Sequence, residues 1–178
     1  MRIIIMLILV LFSLQLKAQT SIYTIKLDSI AGSNQIDFAA FQGRKILIVN
    51  TASQDTAASQ YIELLQLKQL YKDSLIIVVV PSNSFNTEPG TNASISGFYS
   101  QSTAYKFPVA SLSAVTGTNT NPLFLWLSQA SQNAVMNITM NQSFQKFLVN
   151  RQGKLVGIFN ASVRPYSFYV RNAIENGY

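Results

Sequence analysis

The chain has 178 residues, of which 48% are hydrophobic and only 11% charged. That is enough apolar side chain for the core of one domain and too little charge for a disordered chain. It contains no cysteine and no histidine, which excludes thiol redox chemistry, disulfides, and the zinc, copper and iron sites built from those ligands. The formal charge is +6, from 13 basic and 7 acidic side chains, and the cations are scattered, so no nucleic-acid partner is expected.

Residues 1–18 read as a signal peptide. Arg2 supplies the positive n-region, Ile3–Leu14 is apolar apart from Ser13, and Leu16-Lys17-Ala18 ends on a small residue. The uncharged run Ile3–Leu16 covers 14 residues, short of the roughly 20 that span a bilayer. An exported protein, periplasmic or secreted, is expected, with no stable membrane span after cleavage; an uncleaved anchor is the alternative. Residues 19–178 then form a single domain carrying 11 basic and 7 acidic side chains, net +4.

Ser21–Leu27 alternates weakly and predicts an edge strand or hairpin arm, followed by a turn at Gly32-Ser33-Asn34. Lys45–Ala52 is a β-branched run suited to a strand buried on both faces. Thr56–Lys72 has helical spacing of apolar residues, and Leu75–Pro81 is a second buried strand. The order strand, helix, strand is a βαβ unit. Asn92 can cap a helix to about Thr103, Pro108–Leu112 suggests a strand, and Pro122 can open a helix reaching Gln132. Gln145–Val149 and Leu155–Phe159 predict a hairpin, and Tyr166–Asn176 a closing helix. Periodicity alone gives an α/β domain with a mixed sheet. Tyr99, Tyr105, Phe124 and Trp126 are candidates for an aromatic surface patch, with core packing the simpler reading for Phe124.

Five blocks in this order resemble the glutathione peroxidases. They are Val49-Asn50-Thr51-Ala52-Ser53 with Gln60-Tyr61; Pro81-Ser82-Asn83-Ser84-Phe85 running to Glu88-Pro89-Gly90; Phe107-Pro108; Gly117 with Asn121-Pro122-Leu123-Phe124; and Phe144-Gln145-Lys146-Phe147-Leu148-Val149 with Arg151-Gln152-Gly153-Lys154. The resemblance covers nearly all of the chain after residue 18. It implies a thioredoxin-like fold, a central mixed β-sheet flanked by helices.

The family reduces peroxides with a cysteine or selenocysteine at a helix N-terminus, where the helix dipole favours the thiolate. By the resemblance that position is Asp55 here. The supporting Gln, Trp and Asn of the family fall on Ser84, Gln142 and Ser143, and the resolving cysteine of some members on Ser100. A carboxylate has no two-electron oxidation equivalent to that of a thiolate, so none of these positions is expected to be catalytic. Asp is a preferred helix cap, which is the simpler role for Asp55. With no histidine base, Ser53, Ser82 and Ser84 are turn and strand-end residues rather than nucleophiles.

The expectation is therefore an exported family member that is inactive as a peroxidase, with no cofactor and no metal. It is expected to act as a monomer that binds a partner protein or a small-molecule ligand in the former active-site depression. The alternatives are an oxidoreductase that uses non-standard residues, and a decaying copy without a role.

Overall fold

The computed structural model describes residues 20–32, 34–102 and 107–177. The signal-peptide reading of 1–18 and the placement of Tyr105 lie outside these residues. The strands are β1 (Lys26–Asp28), β2 (Gln35–Asp37), β3 (Lys45–Thr51), β4 (Leu75–Pro81), β5 (Lys146–Val149) and β6 (Leu155–Phe159). The α-helices are α1 (Gln60–Tyr71), α2 (Asn92–Ser102), α3 (Pro122–Ser128), α4 (Ala130–Asn133) and α5 (Phe168–Asn176).

The central sheet has the order β4-β3-β5-β6. β3 and β4 run parallel, from Lys45 beside Leu75 to Thr51 beside Pro81, while β5 pairs antiparallel with both β3 and β6. The two parallel strands are buried almost throughout, which is why they carry continuous apolar runs instead of an alternation. Alternate residues still serve different faces. Ile46, Ile48, Val78, Val80 and Phe147 meet α3 and the N-terminal segment, whereas Leu47, Val49, Ile77, Val79 and Leu148 meet α1, α2 and α5.

Several elements differ from expectation, each for a local reason. Ser21–Leu27 is not one strand. It opens as a 3-10 turn, Ile22–Thr24, that puts Ile22 in the core, and only β1 pairs with β2. The expected strand at Pro108–Leu112 shrinks to single bridges, from Val109 to Val79 and from Ala110 to Ser29. Pro108 lacks an N–H, and the residues after it divide their bonds between two partners: the Ala110 N–H donates to Val79 O and the Ser111 N–H to Asp28 O. The helix opened by Pro122 stops at Ser128 because Gln129 is extended. The buried Asn133 amide then takes over, donating to Leu127 O and accepting from the N–H groups of Val135 and Met136.

The aromatic surface patch does not form. Tyr99, Phe124 and Trp126 are all buried. The Trp126 indole N–H donates to Thr20 O at 2.6 Å, which lets a large ring sit inside without an orphaned donor.

Candidate functional site

The carboxyl ends of β3 and β4 lie side by side, and the chain leaving β3 turns into α1 there. This is where ligands sit in open α/β sheets. The turn is held from below by a buried acid. Glu88, 1% exposed, accepts from the Ser53 N–H at 2.6 Å and from the Ser53 hydroxyl at 2.8 Å. Gly90 belongs to the same clamp, since a Cβ there would stand 2.8 Å from Ser94 Oγ and 3.1 Å from Glu88 Oε1. The Glu88-Pro89-Gly90 block is thus explained by packing around Ser53.

Asp55 follows two residues later. It is the N-cap of a 3-10 turn, Thr56–Ser59, that leads into α1, and its Oδ1 accepts from the Ala57 N–H at 2.8 Å. Asp55 Oδ2 has no hydrogen-bond partner among the described residues.

The opposite wall comes from the segment before β5. Phe144 has φ +61°, a left-handed conformation uncommon for a bulky residue. It is held there by its N–H bond to Asn50 O at 2.7 Å and by its ring, which meets Tyr61 edge-on at 5.3 Å. This bend brings Gln142 and Ser143 over the end of β3. The Gln142 carbonyl accepts from Asn50 Nδ2 at 2.9 Å, and the buried Ser143 hydroxyl bonds to Thr87 Oγ1 at 2.9 Å.

Asp55, Gln142 and Ser143 therefore line one open depression of about 470 Å³, together with Gln60, Ser162 and Arg164. Ser84 is not part of its lining. Its hydroxyl accepts from the Val115 N–H at 3.0 Å and bonds to Ser82 Oγ at 3.0 Å. Ser100 is on the exposed side of α2, with its hydroxyl donating to Gly97 O.

Two polar groups lie behind the depression. Tyr99 Oη sits 2.8 Å from both Thr51 Oγ1 and Tyr61 Oη, a chain of buried hydroxyls joining α2, β3 and α1. Burial pushes the Tyr61 and Tyr99 phenols above their usual range. Lys146, on β5, is fully buried and donates to Gln60 Oε1 at 2.9 Å and to Phe144 O at 2.7 Å. Gln60 Nε2 in turn donates to Ala161 O at 2.7 Å, so the pair ties three segments of the wall together. Burial lowers the Lys146 ammonium to about 7, against a smaller opposing pull from Glu63.

The glutathione peroxidase family profile matches residues 22–128. The chain belongs to the glutathione peroxidase family. It is 34% identical over 147 residues to the glutathione peroxidase homolog BsaA of Bacillus subtilis, covering 82% of this chain and 91% of that one. It is 37% identical over 146 residues to the glutathione peroxidase-like peroxiredoxin gpx1 of Schizosaccharomyces pombe, covering 80% and 90%. Among solved structures it resembles Trgpx in its apo form, with a TM-score of 0.65 at 26% identity, over 88% of this chain and 97% of that one. The Streptococcus pneumoniae lipoprotein thioredoxin Etrx1 matches at a TM-score of 0.55 and 12% identity, over 85% and 97%, a likeness of fold alone. Both the family and the thioredoxin-like fold, a mixed sheet flanked by helices, are thus as the sequence blocks implied.

Sequence reasoning did not find the Glu88–Ser53 clamp or the Lys146–Gln60 bridge. Their partners lie 35 and 86 residues apart. Lys146 did stand as a lone cation beside the apolar run Phe147-Leu148-Val149, which was the available signal.

Proposed function

We propose that this chain is an exported member of the glutathione peroxidase family that does not reduce peroxides and acts by binding, as a monomer, at the depression beside Asp55. The observation that carries the reading is the absence of cysteine from the sequence. Peroxide reduction in this family runs through a thiolate or selenolate that becomes a sulfenic or selenenic acid. Asp55 occupies the corresponding position by the sequence resemblance, and one of its oxygens is committed to the Ala57 N–H. Ser84, Gln142 and Ser143 replace the remaining family donors.

The depression supports a binding role, because the family framework around it is intact. The Ser53 turn, α1 and the segment before β5 are held by buried hydrogen bonds. An open polar hollow on such a frame can hold a ligand without a reaction.

The test is peroxide consumption coupled to oxidation of glutathione or thioredoxin. The native protein should show no turnover, and Asp55→Cys should recover little, since catalytic groups that act together are strongly non-additive. The quadruple variant Asp55→Cys, Ser84→Gln, Gln142→Trp and Ser143→Asn is the one expected to turn over. Clear turnover by the native protein overturns the reading.

A further inference from the structure

We infer that the depression beside Asp55 and the apolar hollow next to it form one groove for an extended peptide segment in which an apolar side chain and a lysine stand two positions apart, and so on one face. This rests on the reading of the depression as a binding site.

The two hollows adjoin, because Ser162 and Arg164 line both. The second hollow has a volume of about 450 Å³ and is walled by Val163, Tyr166 and Tyr169, with Glu63 and Gln66 of α1 opposite. Its apolar walls and size suit one large apolar side chain. The first hollow is polar. The hydroxyls of Thr56, Ser59 and Ser162 and the side-chain amide of Gln142 line it, and none of them has a hydrogen-bond partner among the described residues.

Charge decides what the polar hollow accepts. Arg164 is already neutralised: its guanidinium pairs with Glu63 Oε1, and Glu63 Oε2 accepts from the Tyr166 N–H at 3.1 Å. Asp55 is half-committed. Its Oδ1 caps the turn at Ala57, and Oδ2 has no cationic partner among the described residues. Asp55 is thus the lining side chain whose charge has no ion-pair partner among the described residues, amid neutral donors and acceptors. An ammonium fits this arrangement and a carboxylate does not.

A peptide is favoured over a free amine by the surface beyond the hollows. Phe168, 67% exposed, packs edge-on against the Tyr169 wall at 6.0 Å and carries the apolar surface past the groove. That is more than a small amine can cover, and Tyr and Phe are side chains that commonly anchor protein contacts.

The experiment is a titration of the full domain at pH 7 and low salt, followed by backbone amide NMR shifts. The probes are the tighter-binding of acetyl-Phe-Gly-Lys-amide and acetyl-Lys-Gly-Phe-amide, called the Phe-Lys peptide, its counterparts with Glu for Lys and with Ala for Phe, and phenethylamine. The Phe-Lys peptide should shift the amides of residues 55–59 and 162–169 and bind at least about tenfold more tightly than either other peptide, a preference expected from one ion pair plus one buried ring. Asp55→Asn keeps the cap and should abolish the preference for Lys over Glu, while Tyr169→Ala should abolish the preference for Phe over Ala. The inference is overturned if the Phe-Lys peptide shifts neither segment, if Asp55→Asn leaves the Lys preference intact, or if phenethylamine binds as tightly as the peptide. Peroxide turnover by the native protein would instead overturn the underlying reading, and the two failures are measured separately.

Discussion

The turn after β3 has two sides that were treated differently. On the inner side, Glu88 spends both carboxylate oxygens on Ser53, and the hydroxyls of Thr51, Tyr99 and Tyr61 satisfy one another. On the outer side, Asp55 spends one oxygen on the backbone and leaves the other free, beside hydroxyls and amides that have no partner among the described residues. The inner side is what packing enforces, because a buried polar group left unpaired costs more than a made bond gains. The outer side faces water, where an exchanged side chain costs little. A family framework can therefore persist while the side chains at its rim vary.

The sharpest break between the two sides should come from Lys146, which lies inside with no carboxylate bound to it. Its conjugate acid is held at about 7 by burial, against the ordinary 10.5 of the unfolded chain. Between these values the unfolded chain binds more protons than the folded one, so stability rises with pH from about 7 toward 10. Above pH 10 the gain is opposed, because the raised phenols of Tyr61 and Tyr99 ionise more readily in the unfolded chain. Among the charged groups of the described residues, Glu63 of α1 raises the Lys146 value and Arg164 of the neighbouring loop lowers it. Urea denaturation across pH 6–10 should show a gain of about 3–5 kcal/mol. Lys146→Met should flatten most of it, and an unchanged slope in that variant would assign the effect to other groups.

Glu88 tests the inner side directly. Glu88→Ala leaves the Ser53 N–H and hydroxyl without their acceptors in a buried place, and should cost about 2–4 kcal/mol. Glu88→Gln keeps one acceptor oxygen and should cost less. Thermal or urea unfolding reads both, and a loss under about 0.5 kcal/mol for Glu88→Ala would mean that water replaces the carboxylate without penalty.

Asp55 tests the outer side and carries the smallest expected effect. Asp55→Ala should lower stability by about 1 kcal/mol, and Asp55→Asn, also a good cap, by less. Equal losses for both variants would show that the charge rather than the Ala57 bond matters to folding.

Much of the fold was legible from residue order. Lys45–Thr51 and Leu75–Pro81 announced themselves as doubly buried parallel strands because Ile46–Val49 and Leu75–Val80 are unbroken apolar runs. Pro122 marked the start of α3, and its Asn121 cap accepts from the Leu123 N–H at 2.9 Å. The cap at Asp55 could be anticipated in the same way, since capping needs only a preferred residue and the two that follow it. Element ends were less legible. Gln129 and Ser21–Leu27 have no local signal strong enough to stop or start an element: Gln129 is extended, and Ile22–Thr24 turns to bury Ile22.

The sequence by itself determined the family blocks, the lack of any thiol and the strand–helix–strand order, because each is a property of residue types at short spacing. Only the tertiary structure decided which of the residues singled out by the resemblance share a site. Asp55, Gln142 and Ser143 meet across the end of β3, while Ser84 turns to Val115 and Ser100 stays on the outer side of α2. It also decided that Glu63 neutralises Arg164 from 101 residues away and that Asp55 has no ion-pair partner among the described residues. Contacts between distant residues depend on how the sheet and its helices close around the core, and no local pattern encodes that closure.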